Sequence, residues 1–164
     1  MSNLPPFAPF FIAALLVLIT RGRARNLIVL ATPFLGGLHL WLAAPAGIAA
    51  TVSILDYELI LMRADRLSLL FGYIFHIAAF IAAIFSLHVR DTTQTVSSLL
   101  YAGSALGAIF AGDLFTLFIF WELLAISSVF LIWASRTESA IRSGIRYLVI
   151  QVSSGMLLLA GAMV

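Results

Sequence analysis

Glu122 is the residue whose position in the sequence most strongly suggests chemistry. It lies within residues 114–133, a run with the length and apolar character of a membrane-spanning helix, which needs about 20 such residues. A carboxylate at that depth costs on the order of 2.5–3.5 kcal/mol on insertion scales. The residues three and four positions away on the same helix are all apolar: Phe118, Ile119, Ala125 and Ile126. Glu122 is therefore predicted to be either protonated or satisfied by another helix or by water.

Three further polar residues, His76, Gln151 and Ser154, lie near the middle of apolar segments. A histidine titrates near neutrality and can relay protons, although a neutral histidine bonded to a neighbouring backbone carbonyl is the commoner arrangement. At the rise of an α-helix, Glu122 and His76 lie roughly 12 and 16 Å below the outer ends of their helices. Gln151 and Ser154 lie roughly 16–21 Å above the inner end of theirs. The four residues are predicted at similar depths, where they form one hydrated proton path if they face each other.

The composition of the chain predicts that these residues lie in a membrane protein. The chain is 63% hydrophobic and 10% charged, with a mean hydropathy of +1.13, which is more apolar surface than a soluble domain of this size can bury. It has no cysteine for a disulfide or a thiolate metal site, and it shows no nucleotide-binding or catalytic-triad motif. We therefore predict a single all-α membrane domain over residues 1–164, with no cofactor, no metal ion and no nucleic-acid partner.

Six apolar segments are predicted to be transmembrane helices, at about residues 4–20, 26–46, 65–88, 96–111, 114–133 and 140–163. Residues 51–64, between the second and third spans, mix charged with β-branched residues and are predicted to form a short extended or hairpin segment outside the bilayer. Asp65, followed three residues later by Ser68, resembles a helix start. Gly103 and Gly107 form a GxxxG pair, which is typical of close helix packing in lipid, and the fourth span is predicted to pack face to face with another helix through this pair.

The arginines predict the orientation of the spans. The loops after the first, third and fifth spans carry Arg21, Arg23, Arg25, Arg90 and Arg136, and Arg142 and Arg146 follow closely in the first turns of the sixth span. The loop after the second span balances two arginines with three acidic residues, and the loop after the fourth span carries only an aspartate. Because cytoplasmic loops are rich in arginine and lysine, the odd-numbered loops are predicted to be cytoplasmic and both termini outside.

The run Gly-Asp-Leu-Phe-x-x-Phe-x-x-Trp-Glu-Leu at residues 112–123 resembles the fifth transmembrane helix of antiporter-like subunits. These are the D-type subunit of the multisubunit Na⁺/H⁺ (Mrp-type) antiporter and the related proton-pumping subunits of respiratory complex I and membrane-bound hydrogenases. Two other stretches agree. Asp65-Arg66-Leu67-Ser68 resembles the family's Asp-x-Leu-Ser, and Arg146-Tyr147 with Ser153-Ser154 and Leu159-Ala160-Gly161 resembles its Lys-Tyr…Ser…Leu-x-Gly helix.

The resemblance implies that Glu122 holds the position of a glutamate that pairs with a lysine two helices later in a proton path. It implies an ion-transport component of a multisubunit cation/proton antiporter in the bacterial cytoplasmic (inner) membrane, and not an enzyme. The implied partners are other subunits, the lipid bilayer, protons and a monovalent cation. Two alternatives stay open: a proton-translocating subunit of a complex I or hydrogenase-type redox enzyme, and a structural membrane subunit that has lost transport.

The sequence departs from the family in two respects. Antiporter-like subunits carry about fourteen helices, including two inverted five-helix repeats, and this chain corresponds to their N-terminal part. It also contains no lysine, and Arg146 stands before Tyr147 where the family has lysine, although arginine does not release its proton as lysine can. We therefore expect the chain to be incomplete alone, as a split or truncated subunit completed by a neighbour or as a fragment.

The predicted topology has a direct test. Reporter fusions placed at Thr20-Arg21 and at Ala111-Gly112 are expected to report opposite sides of the membrane, because an odd number of spans separates the two sites. The same side for both fusions would contradict the six-span model.

Overall fold

The computed structural model describes residues 4–43, 47–54 and 57–162. Within them the chain forms six α-helices and one two-stranded antiparallel sheet. The elements in chain order are α1 (Ala8–Ile19), α2 (Arg23–Ala43), β1 (Gly47–Ile54), β2 (Tyr57–Ala64), α3 (Arg66–Ser86), α4 (Thr92–Phe110), α5 (Leu114–Trp133) and α6 (Glu138–Ala162). The mostly helical architecture is confirmed, and so is the hairpin between the second and third helices.

Several element ends differ from the prediction. The hairpin begins at Gly47 and not at residue 51, and α4 begins at Thr92 and not at residue 96, because Asp91 caps a polar first turn that resembles a loop in sequence. Residues 44–46, 55–56 and 163 lie outside the described residues. They hold the predicted end of the second span, part of the predicted extended segment and the predicted end of the sixth span. By contrast, α5 has the predicted bounds.

Three of the described helices are long and apolar enough to cross a membrane: α3, α5 and residues 138–161 of α6. The shorter α1 is also apolar, with 12 residues. Six membrane crossings and the placement of both termini outside stay predictions.

Aspartates start three consecutive helices. The Asp65 carboxylate accepts from Ser68 N–H at 2.8 Å while Ser68 Oγ accepts from Asp65 N–H, which is a capping box. The hydrogen bond from the Ser68 backbone is the main cause that lowers the pKa of Asp65. Partial desolvation works to raise the pKa of Asp91 and of Asp113, but backbone hydrogen bonds at their helix starts outweigh it and both pKa values are lowered. All three caps therefore remain ionised near neutral pH.

The hairpin is fastened to the start of α5. Asp113 caps α5 by accepting from Thr116 N–H at 2.7 Å, and its second oxygen accepts from Ile60 N–H in β2 at 2.5 Å. Gly112 N–H in turn donates to Ile60 C=O at 2.9 Å. A Cβ at Gly112 would collide with the Ile60 side chain, so glycine is required for the approach. Gly112-Asp113, at the head of the quoted motif, is thus the joint that ties β2 to the helix that carries Glu122.

Helix α4 lies at the centre of the bundle. It packs against α1, α3 and α5, and β2 also contacts it, whereas α2 packs against α1 and α3 and α6 packs against α5. Its inward residues are small and buried, among them Gly103, Ser104, Ala105 and Gly107. Small side chains let helix backbones approach closely, which is the main source of helix association in lipid.

The GxxxG pair is used for packing, as predicted, but it does not meet a single partner helix. A Cβ at Gly103 would lie 3.0 Å from Phe10 Cβ in α1, whereas a Cβ at Gly107 would collide with the ring of Phe120 in α5. The expectation of one face-to-face partner was therefore wrong, because aromatic side chains from two neighbours reach this side of α4.

Replacement of Gly107 tests the α4–α5 contact. Gly107→Ala is expected to lower the free energy of unfolding by about 1–3 kcal/mol, because the buried Phe120 ring must shift to admit a methyl group. Thermal unfolding in mild detergent measures the loss, and Phe120→Leu provides the matched background, in which the alanine should cost less. An equal cost in both backgrounds would show that the ring is not the obstacle.

Candidate functional site

Glu122 lies where α5 meets α6. Its side chain is half-buried, and its Oε1 atom is fully buried with no hydrogen-bond partner among the residues that the structure describes. This oxygen lies against Gly155 of α6, where an added Cβ would collide with it. The Phe118 ring, one turn earlier on α5, lies 3.4 Å from the same position. The carboxyl group therefore lies against a glycine of the facing helix, and it would have to shift to admit a side chain there.

This arrangement leaves the charge of Glu122 uncompensated. Within residues 4–43, 47–54 and 57–162 the ion pair found is Arg136–Asp91 at 2.8 Å, at the bundle's end, so no described cation neutralises Glu122. A buried and unsatisfied polar group costs about 1–3 kcal/mol, and more when it is charged. The group can relieve this cost by taking up a proton or by pairing with a donor outside the described residues. Uptake of a proton neutralises the carboxylate, whereas a donor stabilises its charge, so the charge state of Glu122 depends on what surrounds it.

A pair of hydroxyl groups links α5 to α6 between Glu122 and the C-terminal end of α5. Ser128 Oγ and Tyr147 Oη lie 3.0 Å apart, and Ser128 Oγ donates to Ala125 C=O at 2.7 Å. Because a hydroxyl group has one proton to donate, Tyr147 is then the donor to Ser128. Ser128 lies about 9 Å along the α5 axis from Glu122, at the rise of an α-helix. Sequence reasoning gave neither residue a role, although Tyr147 is part of a quoted motif.

The residues predicted on α6 differ in their placement. Gln151 is half-buried and lies four residues before Gly155, so both occupy the face of α6 that meets α5. Ser154 is exposed. Of these two residues, Gln151 is the one whose helix face is shared with the Glu122 contact.

His76 lies in a different part of the bundle. It is 3% exposed, and its Nδ1 atom lies 2.7 Å from Gly72 C=O, which can only accept, so Nδ1 carries a proton. This is the commoner arrangement named above, a histidine bonded to a backbone carbonyl of its own helix. The ring packs against Gly36 of α2 and the Phe10 ring of α1, and Nε2 is buried without a partner among the described residues.

The two buried ionisable groups are consequently not brought together. His76 contacts α1 and α2, Glu122 contacts α6, and α4 packs against both α3 and α5. A single proton path through His76 and Glu122 therefore stays a prediction. Such a path needs water or further residues to bridge the gap between the two side chains. Among the described residues, no group of three histidine or acidic side chains is gathered to hold a metal ion.

Comparison with known proteins confirms the resemblance to antiporter-like subunits. Residues 111–164 match the family described as NADH:quinone oxidoreductase/Mrp antiporter, transmembrane. A relative is the D-type subunit of the Na⁺/H⁺ antiporter of Alkalihalophilus pseudofirmus, which is 40% identical over 55 residues. That alignment covers 34% of this chain and 11% of the relative. The matched segment holds α5 and α6, and so both sides of the Glu122–Gly155 contact.

The fold also matches a solved structure. A chain in the structure of the membrane-bound sulfane sulfur reductase, an archaeal respiratory membrane complex, superposes with a TM-score of 0.71 at 20% sequence identity. The match covers 95% of this chain and 34% of that chain. The likeness therefore concerns the fold of nearly the whole chain, which spans about a third of that matched protein's length.

The contact between Glu122 and Gly155 makes a quantitative prediction. Gly155→Ala is expected to lower the free energy of unfolding by about 0.5–1.5 kcal/mol relative to Gly161→Ala, because its methyl group forces the Glu122 carboxyl oxygen to move and the side chain to leave its rotamer. In a Glu122→Ala background the same substitution should cost markedly less, since the obstructing oxygen is gone. Denaturant unfolding in detergent micelles measures both.

Gly161→Ala is the matched control, because it lies on the same helix with nothing within 4 Å of an added Cβ. It reports the gain in helix propensity alone. If Gly155→Ala were as harmless as Gly161→Ala, the two side chains would not be in contact.

Proposed function

We propose, from the resemblance to antiporter-like subunits, that this chain is an ion-transport component of a multisubunit cation/proton antiporter in which Glu122 carries protons along part of a transmembrane path. One observation supports this proposal above all others. The buried Glu122 oxygen lies inside a span-length helix with no partner among the described residues, so its charge state depends on what reaches it.

The surface of α6 supports the part of the proposal that concerns other subunits. Among the described elements α6 packs against α5, and much of its remaining surface is apolar and exposed, including Val149, Ile150, Met156 and Leu157. Helices from further chain or from a neighbouring subunit, or lipid, would cover such a surface in a membrane. A cationic residue on a helix next to α6 would supply the positive charge that pairs with the Glu122 carboxylate. The bacterial cytoplasmic membrane and a monovalent coupling cation belong to the same proposal.

The polar residues around Glu122 suggest the course of the path. Gln151 shares the α6 face that meets α5, and the Ser128–Tyr147 pair offers hydroxyl groups nearer to the arginine-rich end of these helices. A gap of about 9 Å along the axis separates Ser128 from Glu122, which is the length of a chain of a few water molecules. In this proposal Ser154 faces the added helices, and His76 serves a separate part of the bundle or a second branch.

A redox-driven complex is the second candidate for the assembly. The description of the matched family names both NADH:quinone oxidoreductase and the Mrp antiporter, whereas the curated relative is an antiporter subunit. The local role proposed for Glu122 is the same in both assemblies. Purification of the complex in mild detergent, followed by identification of the accompanying subunits, distinguishes the two, because only the redox complex brings redox subunits with it.

Replacement of Glu122 tests its role in transport. Glu122→Gln keeps the shape and hydrogen-bonding capacity of the side chain but cannot take up or release a proton, so it is expected to abolish transport while the complex still assembles. Glu122→Asp should retain part of the activity, and Glu122→Ala should do no better than glutamine. Proton flux in vesicles that contain the assembled complex measures all three.

Glu138→Gln is the matched control, because Glu138 is an exposed acid at the start of α6, and it should transport at the unmodified rate. If Glu122→Gln transports at that rate in an intact complex, Glu122 has only a packing role. Loss of assembly in Glu122→Gln would likewise count against the proposal, since the shape of the side chain is preserved.

A further inference from the structure

We propose that the arginine-rich end of the bundle binds the phosphate-bearing headgroup of an anionic phospholipid. The site is a cavity of about 740 Å³ between the α1–α2 turn and the α3–α4 turn. Its lining includes four arginines and a histidine, and the first residues of α2 and of α4: Arg21, Arg23, Arg25, Arg90, His88 and Thr92.

Arg25 builds the cavity. Its side chain is buried, with the residue 7% exposed, and its guanidinium donates to Val89 C=O and Arg90 C=O, each at 2.9 Å. These bonds clamp the α3–α4 turn against the first turn of α2 and thereby bring Arg90 to the cavity that Arg21 and Arg23 line. The partners of this buried arginine are two carbonyl groups and the Thr92 hydroxyl group, none of them charged, so its full positive charge remains at the base of the site.

The cations around the cavity are not neutralised by the protein. Arg21, Arg23 and Arg90 are exposed, and no described carboxylate lies within ion-pair distance of any of them. The nearest acid in sequence, Asp91, pairs with Arg136 at 2.8 Å and accepts from Thr93 N–H at 2.9 Å, so it is occupied at the start of α4. Four guanidinium groups that line one cavity repel each other, and a bound anion removes that repulsion.

The backbone adds to the positive potential. Gly22 adopts φ of +62°, a left-handed conformation that suits glycine, and α2 begins immediately after it at Arg23. The N-terminal end of a 21-residue helix, with its free N–H groups and positive dipole end, thus opens onto the cavity. The site therefore combines side-chain charge with backbone donors, a combination that suits phosphate oxygens.

The surroundings favour a lipid over a free phosphate ion. On the membrane side of the cavity, large apolar side chains are exposed on three helices: Ile19 is 80%, Leu27 is 69% and Phe85 is 75% exposed. Acyl chains that descend from a headgroup in the cavity would lie along them. This end of the bundle is also the predicted cytoplasmic side, where anionic lipids attract arginine-rich segments.

Native mass spectrometry of the full chain, purified in mild detergent with its accompanying subunits and stripped of lipid, tests the proposal. The probes are phosphatidylglycerol, phosphatidylcholine and inorganic phosphate, and the mass of each adduct identifies it. We expect the unmodified chain to bind phosphatidylglycerol about tenfold more tightly than phosphatidylcholine, and we expect that preference to be lost in the Arg21→Gln, Arg23→Gln double variant.

Arg142→Gln, Arg146→Gln is the matched control, because both arginines are exposed on α6 away from the cavity, and it should keep the preference. Arg90→Gln is a second test variant if the double variant fails to fold, since Arg25 bonds the backbone of residue 90 and not its side chain. Because binding is measured in detergent, an effect of the arginines on membrane orientation cannot imitate the result. Equal binding of the two lipids by the unmodified chain, an unchanged preference in both test variants, or displacement of lipid by millimolar phosphate would overturn the proposal.

Discussion

Close contact between a large side chain and a glycine of a neighbouring element is the interaction on which this bundle depends. It recurs at the main junctions of the fold: Phe120 on Gly107, Phe110 on Gly72, His76 on Gly36, Ile60 on Gly112 and Glu122 on Gly155. Lipid tails are as apolar as leucine side chains, so burial of apolar surface does not drive helices together in a membrane. Dispersion between closely packed atoms must do so, and it requires backbones without side chains at the points of approach.

Hydrogen bonding is concentrated at the ends of the helices. Asp65, Asp91 and Asp113 cap α3, α4 and α5, Asp113 also binds β2, and Arg25 clamps the α3–α4 turn. These polar contacts hold the ends in register while the apolar interior supplies packing. The joint at Gly112-Asp113 fixes the start of α5 against β2, and so helps to position the helix that carries Glu122.

Few buried polar atoms of the described residues lack a hydrogen-bond partner in this apolar interior. Among the described side chains that are not exposed, three buried atoms lack a hydrogen-bond partner: His76 Nε2, Ser104 Oγ and Glu122 Oε1. His76 has its other nitrogen bonded to Gly72 and is enclosed by α1 and α2, which is consistent with a packing role. Glu122 has no such partner and lies beside α6, the helix with the least cover. The same buried state therefore has different consequences, because His76 has one ring nitrogen bonded within its own helix, whereas no described group bonds the buried oxygen of Glu122.

Local sequence determined the main elements and the position of Glu122 near the middle of α5. The bounds of α5 followed from the length and apolar character of residues 114–133, in which Glu122 is the one ionisable residue, and the hairpin followed from charged and β-branched residues between two apolar segments. Tertiary structure decided which residues meet: Gly155 beneath Glu122, Ser128 beside Tyr147, and His76 toward α2 instead of α5. Hydropathy is a property of a segment and reports how deep a residue lies. The partner of that residue depends on the rotation of each helix about its axis, which is set by the fit of side chains against glycines on other helices.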